Sequence, residues 1–206
     1  MTKILFVCHG NICRSPMAEY FMKELVRREG LEKMFEIASA ATSSEEIGND
    51  VYPPARKKLA EHNVLCPRRA ARRLTRADFD EYDLVIGMDS ENLRNMRRIC
   101  GDSPKIHLLM DFTDRPGDVA DPWYTRDFEA TWRDVSDGCK GLLEKIKTEA
   151  HCASVFVFCC IYAFCFLLTA RYMSSRMPTA AKPTTAPMPT ASTVREARCR
   201  YRRRNI

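Results

Sequence analysis

The stretch KILFVCHGNICRSPMAE, residues 3–19, decides the fold. It opens with a short apolar, β-prone run that has no alternating polar positions, the pattern of a strand buried on both faces. It ends as a helix begins. Pro16 suits a first helical turn, where its missing N–H would have no partner, and Met17, Ala18, Phe21, Met22, Leu25 and Val26 then recur at helical spacing. Strand, glycine-containing loop and helix follow one another within about two dozen residues.

The same alternation continues downstream. FEIASA (35–40) predicts a second strand, PPARKKLAEH (53–62) a helix opened by proline, and YDLVIGM (82–88) a third strand. DSENLRNMRRI (89–99) predicts a capped helix, KIHLLM (105–110) a fourth strand, and 126–149 a long last helix with Phe128, Trp132, Val135, Cys139, Leu142 and Ile146 on one face. Strands alternating with helices imply an α/β fold, a three-layer sandwich on a mostly parallel sheet. The ligand site of such a sheet lies at the carboxyl ends of its strands.

The chain changes character at residue 150. Residues 1–150 hold 24 Lys and Arg against 26 Asp and Glu, and residues 151–206 hold nine against one, so the formal charge of +6 comes from the tail. Residues 151–171 form a hydrophobic segment, with no charge over the 19 residues 152–170, near the length that crosses a bilayer. Residues 172–206 are Pro/Thr-rich and then basic, a composition that cannot bury enough to fold. The segment leaves a membrane anchor, a disordered tail and a misread frame as competing readings, because cations on both flanks give no clear orientation. The terminal arginines are expected to be solvated, and no nucleic-acid partner is expected.

The first part carries Cys8, Cys13, Cys66, Cys100 and Cys139 without the spacing of a disulfide framework, and its apolar start is too short for a secretion signal. A cytoplasmic domain with free thiols is the expectation, with tethering to the membrane as an option if 152–170 spans. Cys8, His9 and Cys13 have no further Cys/His cluster at ligand spacing, so no metal is expected.

The loop from Cys8 to Arg14 sits where backbone N–H groups point above a helix N-terminus, a ready anion site. Gly10 can take positive φ without penalty, and Asn11 tolerates left-handed geometry. Arg14 offers a planar fork for two phosphate oxygens. Cys8 at the base of this bowl would feel the helix dipole, the amides, Arg14 and the Ser15 hydroxyl, all of which favour a thiolate. A thiolate beneath a phosphate is a nucleophile, and the leaving oxygen then needs a proton from a carboxylic acid on a facing loop. Of Asp111, Asp114, Asp118 and Asp121, the last is chosen. Pro122 holds it extended, and Trp123 and Tyr124 add aromatic surface for an aryl phosphate.

CHGNICRSPMAE, the third-strand motif IGMDSEN and DPWY together closely resemble the low-molecular-weight protein tyrosine phosphatases, over about residues 1–150. The resemblance implies a four-stranded parallel sheet flanked by helices, no cofactor, and phosphotyrosine-containing protein substrates. It makes Cys8 the nucleophile, Arg14 the phosphate clamp, Ser15 the hydrogen-bond partner of the thiolate and Asp121 the general acid. Asn11 braces a loop whose amides, from His9, Gly10, Asn11, Ile12 and Cys13, hold the phosphate. Ile12 stands where threonine accompanies phosphoarginine phosphatases and isoleucine accompanies tyrosine specificity. Cys13 is implied to protect Cys8 by a reversible disulfide.

Three positions depart from the family pattern. His9 replaces an aliphatic residue and Glu45 an aromatic pocket wall, so both bear on substrate preference. Arg69 falls where a loop-supporting histidine often lies. Arsenate reduction on the same fold needs paired downstream cysteines, and Cys66 and Cys100 are too far apart in sequence to look like them. A phosphotyrosine reader without turnover would have lost the nucleophile or the acid. His62 and His107 are expected to pack or face solvent.

Overall fold

The computed structural model of the chain describes residues 1–149, and the hydrophobic segment and basic tail read from the sequence lie outside the described residues. Four strands, β1 (Thr2–Cys8), β2 (Phe35–Ala41), β3 (Leu84–Gly87) and β4 (Ile106–Leu108), form one sheet in the order β2-β1-β3-β4. All three pairings are parallel. The helices are α1 (Arg14–Arg28), α2 (Pro53–Glu61), α3 (Arg76–Glu81), α4 (Ser90–Cys100), α5 (Pro122–Thr125) and α6, residues 128–149.

β1 explains why the molecule has three layers. Its residues Ile4 to Val7 are fully buried, and the strand period of two sends them alternately to opposite faces. Ile4 and Phe6 join Met17, Phe21, Leu59, Trp132 and Leu142 on the side of α1, α2 and α6. Leu5 and Val7 join Leu74, Phe79, Tyr82, Met96 and Cys100 on the side of α3 and α4. Burying a large apolar side chain contributes roughly 1.5–3 kcal/mol, and this central strand supplies such residues to both cores.

Because the strands are parallel, their carboxyl ends share one edge. Cys8 pairs with Ala41, Val7 with Gly87, and Gly87 with Leu108. The site loops therefore rise from neighbouring strand ends, at the crevice where the chain goes left to β2 and right to β3.

Several elements differ from their sequence expectations in extent. β3 is shorter than 82–88 because Tyr82 already closes α3, its N–H bonding to the Asp78 carbonyl. β4 stops at Leu108, where the Asp111 carboxylate accepts the Leu108 N–H (3.0 Å) and turns the chain into a 3₁₀ segment. α3 was not anticipated, although Thr75 and Asp78 form a reciprocal capping box at its start. α6 begins at 128 rather than 126, because Arg126 adopts a left-handed conformation (φ 60°) that ends α5.

α6 crosses the turn after β4 at very close range. A Cβ at Gly141 would lie 1.9 Å from the Phe112 carbonyl oxygen, and one at Gly138 would lie 2.5 Å from Leu109 Cγ. An ordinary helical Gly→Ala change stabilises by about 1 kcal/mol. Gly141→Ala is expected to do the reverse and to lower the unfolding free energy by about 1–3 kcal/mol, the usual cost of overpacking. Urea unfolding of the two proteins measures this, and an unchanged or higher midpoint would show that the crossing can open without cost.

Candidate active site

β1 ends on Cys8 and α1 begins on Arg14, so five residues must turn the chain through the bowl between them. The turn is made by Asn11, whose φ is 59°, whereas Gly10 stays outside the left-handed region. The glycine is needed for a different reason from the one its type suggests. A Cβ there would meet Glu46 Cγ at 3.0 Å, so the side-chain-free backbone lets the neighbouring loop close over the bowl.

Cys8 is buried, and its sulfur accepts the Asn11 N–H (3.2 Å) and lies 3.0 Å from Ser15 Oγ. The surrounding hydrogen bonds decide which way the Ser15 proton points. Asn11 Oδ1 accepts from Arg69 Nη2 (2.7 Å) and the Arg72 N–H (3.2 Å), which fixes the amide orientation. Asn11 Nδ2 then donates to Ser15 Oγ (2.9 Å) and Ser39 Oγ (2.7 Å). Ser15 Oγ is thereby occupied as an acceptor, and its proton is free to be donated to the Cys8 sulfur.

Arg69 anchors this network. Its Nη1 donates to Glu19 Oε2 and to Ser39 Oγ (both 2.6 Å), and Ser39 in turn donates to Glu19 (2.6 Å). The other Glu19 oxygen accepts from Lys23 Nζ (2.6 Å). The departure from histidine at this position therefore leaves the loop supported, by a planar fork that donates from both terminal nitrogens. Glu19, Ser39 and Asp89 were not singled out from the sequence. For Glu19 the available signal is a carboxylate between Met17, Ala18, Phe21 and Met22 on the inward side of α1.

Arg14 is 3% exposed and lies between two carboxylates: Nη1 is 2.5 Å from Asp89 Oδ2, and Nη2 is 2.5 Å from Asp121 Oδ2. Burial works against its charge, but the neighbouring Cys8, Asp121 and Asp89 outweigh burial and raise its pKa. Asp89 also caps α4, accepting the Asn92 N–H (2.6 Å). Asp121 is extended before Pro122, as expected, and its Oδ1 accepts the Trp123 N–H (2.9 Å).

Cys8, Arg14, Asp89 and Asp121 share one cavity of about 590 Å³, within the size range of small-molecule sites. His9, Gly10, Ile12, Cys13, Glu45, Trp123 and Tyr124 also line it, whereas Asn11 and Ser15 lie behind its wall. His9 Nε2 contacts Glu45 Oε2 (3.1 Å), so the two departures at the rim form a pair. Trp123 is half-exposed against Tyr52, and Tyr124 is exposed. Burial, with help from Cys8 and Asp121, pushes the Cys13 thiol up to about 12. His62 stacks on Trp132 and His107 contacts Phe112, both away from the cavity. Among the described residues there is no cluster of side chains able to hold a metal ion. A buried sulfur, an arginine fork and a partly buried carboxyl facing one cavity can together take up a tetrahedral anion, attack it and protonate what leaves.

A family model described as low molecular weight phosphotyrosine protein phosphatase matches residues 3–152. The chain is 35% identical over 153 residues to the low molecular weight protein-tyrosine-phosphatase YfkJ of Bacillus subtilis, covering 72% of this chain and 98% of that protein. It is 37% identical over 149 residues to the low molecular weight phosphotyrosine protein phosphatase of Gallus gallus, covering 69% of this chain and 94% of that one. The crystal structure of YfkJ superposes with a TM-score of 0.70, covering 72% of this chain and 96% of that chain.

Removing the anchor of the polar network should be felt at the sulfur. Arg69→Ala is expected to slow alkylation of Cys8 by iodoacetate about tenfold and to cost about 1–3 kcal/mol of stability, because Glu19 and the Asn11 carbonyl lose a charged donor. Arg69→Lys should recover part of both. Unchanged alkylation in Arg69→Ala would show that Asn11 holds its orientation unaided.

Proposed function

This chain belongs to the low molecular weight phosphotyrosine protein phosphatases, and we propose that its own residues hydrolyse phosphotyrosine in proteins through a phosphocysteine intermediate. One observation carries the assignment of roles: the Arg14 fork reaches, in a single cavity with the Cys8 sulfur, the carboxylate of a second loop, Asp121.

In the first step the Cys8 thiolate attacks phosphorus, the bond from phosphorus to the phenolic oxygen breaks, and Asp121 gives that oxygen its proton. In the second, Asp121 takes a proton from water, the water oxygen attacks the thiophosphate, and the thiolate leaves with inorganic phosphate released. Ser15, donating to the sulfur, stabilises the thiolate as attacker and as leaving group. Arg14 and the loop amides of His9, Gly10, Asn11, Ile12 and Cys13 hold the equatorial oxygens in both steps.

An entering dianion competes with Asp121 for the Arg14 nitrogen it contacts. Displaced from the guanidinium, the carboxyl is free to face the leaving oxygen. Trp123 and Tyr124 give the aryl ring a flat surface, with the His9–Glu45 pair also on the rim. We assign catalysis to the unit spanning residues 1–150 and place it in the cytoplasm, where its unpaired thiols would remain reduced.

Cys8→Ser should abolish turnover of a phosphotyrosine peptide while keeping affinity for inorganic phosphate, and Asp121→Asn should lower kcat by ~10² to 10⁴. Phosphoserine and phosphoarginine peptides assayed in parallel should be turned over far more slowly. Turnover persisting in Cys8→Ser sinks the mechanism, and a preference for phosphoarginine sinks the substrate class.

Cys13 supports a second function of the bowl. Oxidation of Cys8 to the sulfenic acid would be followed by attack of the Cys13 sulfur, forming a disulfide and releasing water. Activity lost to peroxide should then return with dithiothreitol, and in Cys13→Ser it should not; equal recovery in the two proteins would exclude this protection.

A further inference from the structure

Asp118, passed over as a proton donor, closes a ring around the arginine fork. Its two carboxylate oxygens accept from one residue, the first of α4: Oδ1 from the Ser90 N–H (2.9 Å) and Oδ2 from the Ser90 hydroxyl (3.1 Å). The neighbour of Ser90 is Asp89, which holds Arg14 Nη1, and three residues beyond Asp118 stands Asp121, which holds Arg14 Nη2. The ring thus runs from Arg14 through Asp89, Ser90, Asp118 and Asp121 back to Arg14. Only the Ser90–Asp118 clasp in it joins the acid-bearing loop to α4 through side-chain hydrogen bonds.

The backbone around the clasp is arranged to keep it. Val119 donates its N–H to the Met88 carbonyl (2.8 Å), so residues 118 and 119 bond in succession to residues 90 and 88. Gly117, immediately before Asp118, has φ 154°, a conformation that side-chain-bearing residues rarely adopt. A negative group at the first N–H of an 11-residue helix is also favoured by the helix dipole. Asp118 is exposed, so the clasp contributes little burial and its role is to fix position.

We propose that Asp118, through Ser90, is a positioning residue that sets the distance between the Asp121 carboxyl and the Arg14 clamp. The proposal rests on the assignment of Asp121 as general acid. If the clasp is released, the cradle of Cys8 to Arg14 remains intact and the acid drifts. A misplacement of about 1 Å can cost up to about 10²-fold in rate, and the loss should be confined to substrates whose leaving group needs a proton.

The test compares kcat/KM, which reports formation of the phosphoenzyme, for phenyl phosphate and for 2,4-dinitrophenyl phosphate, whose phenolate leaves unaided. Asp118→Ala should lower the first about tenfold and the second by less than about twofold. Asp118→Asn, whose amide oxygen can still accept the Ser90 N–H, should stay within about threefold on both, and Ser90→Ala should fall between. In an Asp121→Asn background, Asp118→Ala should add less than about twofold on phenyl phosphate, since the two changes act on one function. Equal losses on both substrates, no loss on either, or a full additional loss in the Asp121→Asn background would each overturn the proposal. Should Asp121→Asn itself spare phenyl phosphate turnover, the acid assignment fails and the proposal with it, a result distinct from failure of the clasp alone.

Discussion

A guanidinium that is 3% exposed is the constraint from which the rest of this site follows. An isolated charge of that kind costs several kcal/mol to bury, and the cost is met only if partners of opposite charge and good geometry surround it. Arg14 has two, Asp89 and Asp121, and they come from different strand ends. Asp89 stands two residues beyond β3 and is pinned as the cap of α4; Asp121 arrives on the loop beyond β4. The fork therefore measures the separation of two loops, and anything that moves either loop is felt in the cavity they share. The parallel sheet makes this possible by ending all four strands along one edge, with β1 and β3 adjacent in it.

The bowl under the arginine obeys the complementary rule for neutral polar groups. Asn11 occupies a left-handed conformation that costs a non-glycine residue about 1 kcal/mol or more, and such strain persists only where surroundings over-determine it. Here the surroundings are a chain of satisfied hydrogen bonds from Arg69 and Glu19 through Ser39 and Asn11 to Ser15. A network of this kind is worth having only when complete, because each unmet group in a low-dielectric interior is costly. Its direction matters as much as its completeness. Charge enters at Arg69 and each donor in turn orients the next acceptor, ending with a hydroxyl proton available to sulfur.

The sequence carried the parts of this arrangement that depend on local patterns. β1 could be read because a strand buried on both faces has no polar positions, and α1 because Pro16 and the Met17–Val26 spacing admit little else. Cys8, Arg14 and Asp121, which share one cavity, were legible because the proposed chemistry calls for those residue types beside a strand end or before a proline. What escaped depends on contacts between segments distant in the chain. Glu19 looks like one more charge on a helix until Arg69, fifty residues on, is seen to meet it. From the sequence Asp89 reads as a helix cap alone, since its second oxygen serves Arg14, 75 residues away. Gly10 and Asn11 both read as able to take positive φ and only Asn11 does, because residue type predicts what backbone is permitted and not which of two adjacent permissive residues adopts it. α3 and the early end of β4 were missed for a smaller reason: single side chains, Asp78 and Asp111, redirect the backbone by bonding to N–H groups nearby.

The distribution of charge around the cavity bears on how such a site can prefer a dianion at all. Six carboxylates line it, Glu45, Glu46, Asp89, Glu91, Asp118 and Asp121, against two arginines, Arg14 and Arg94. At long range this rim repels phosphate, and at physiological salt that repulsion is screened beyond about 8 Å. At short range the balance reverses, because most of those carboxylates already have donors. Glu45 faces His9, Glu46 accepts from Asn49, Asp118 is held by Ser90, and Asp89 and Asp121 lie on Arg14. Attraction is left to the buried fork and the loop amides, which act where the dielectric is low and geometry is fixed. On the proposed reading, selectivity is thus a contact property, set by the buried fork and the loop amides and not by the long-range field of the rim. On that reading an acidic rim works against the general affinity for anions that an open arginine would otherwise confer.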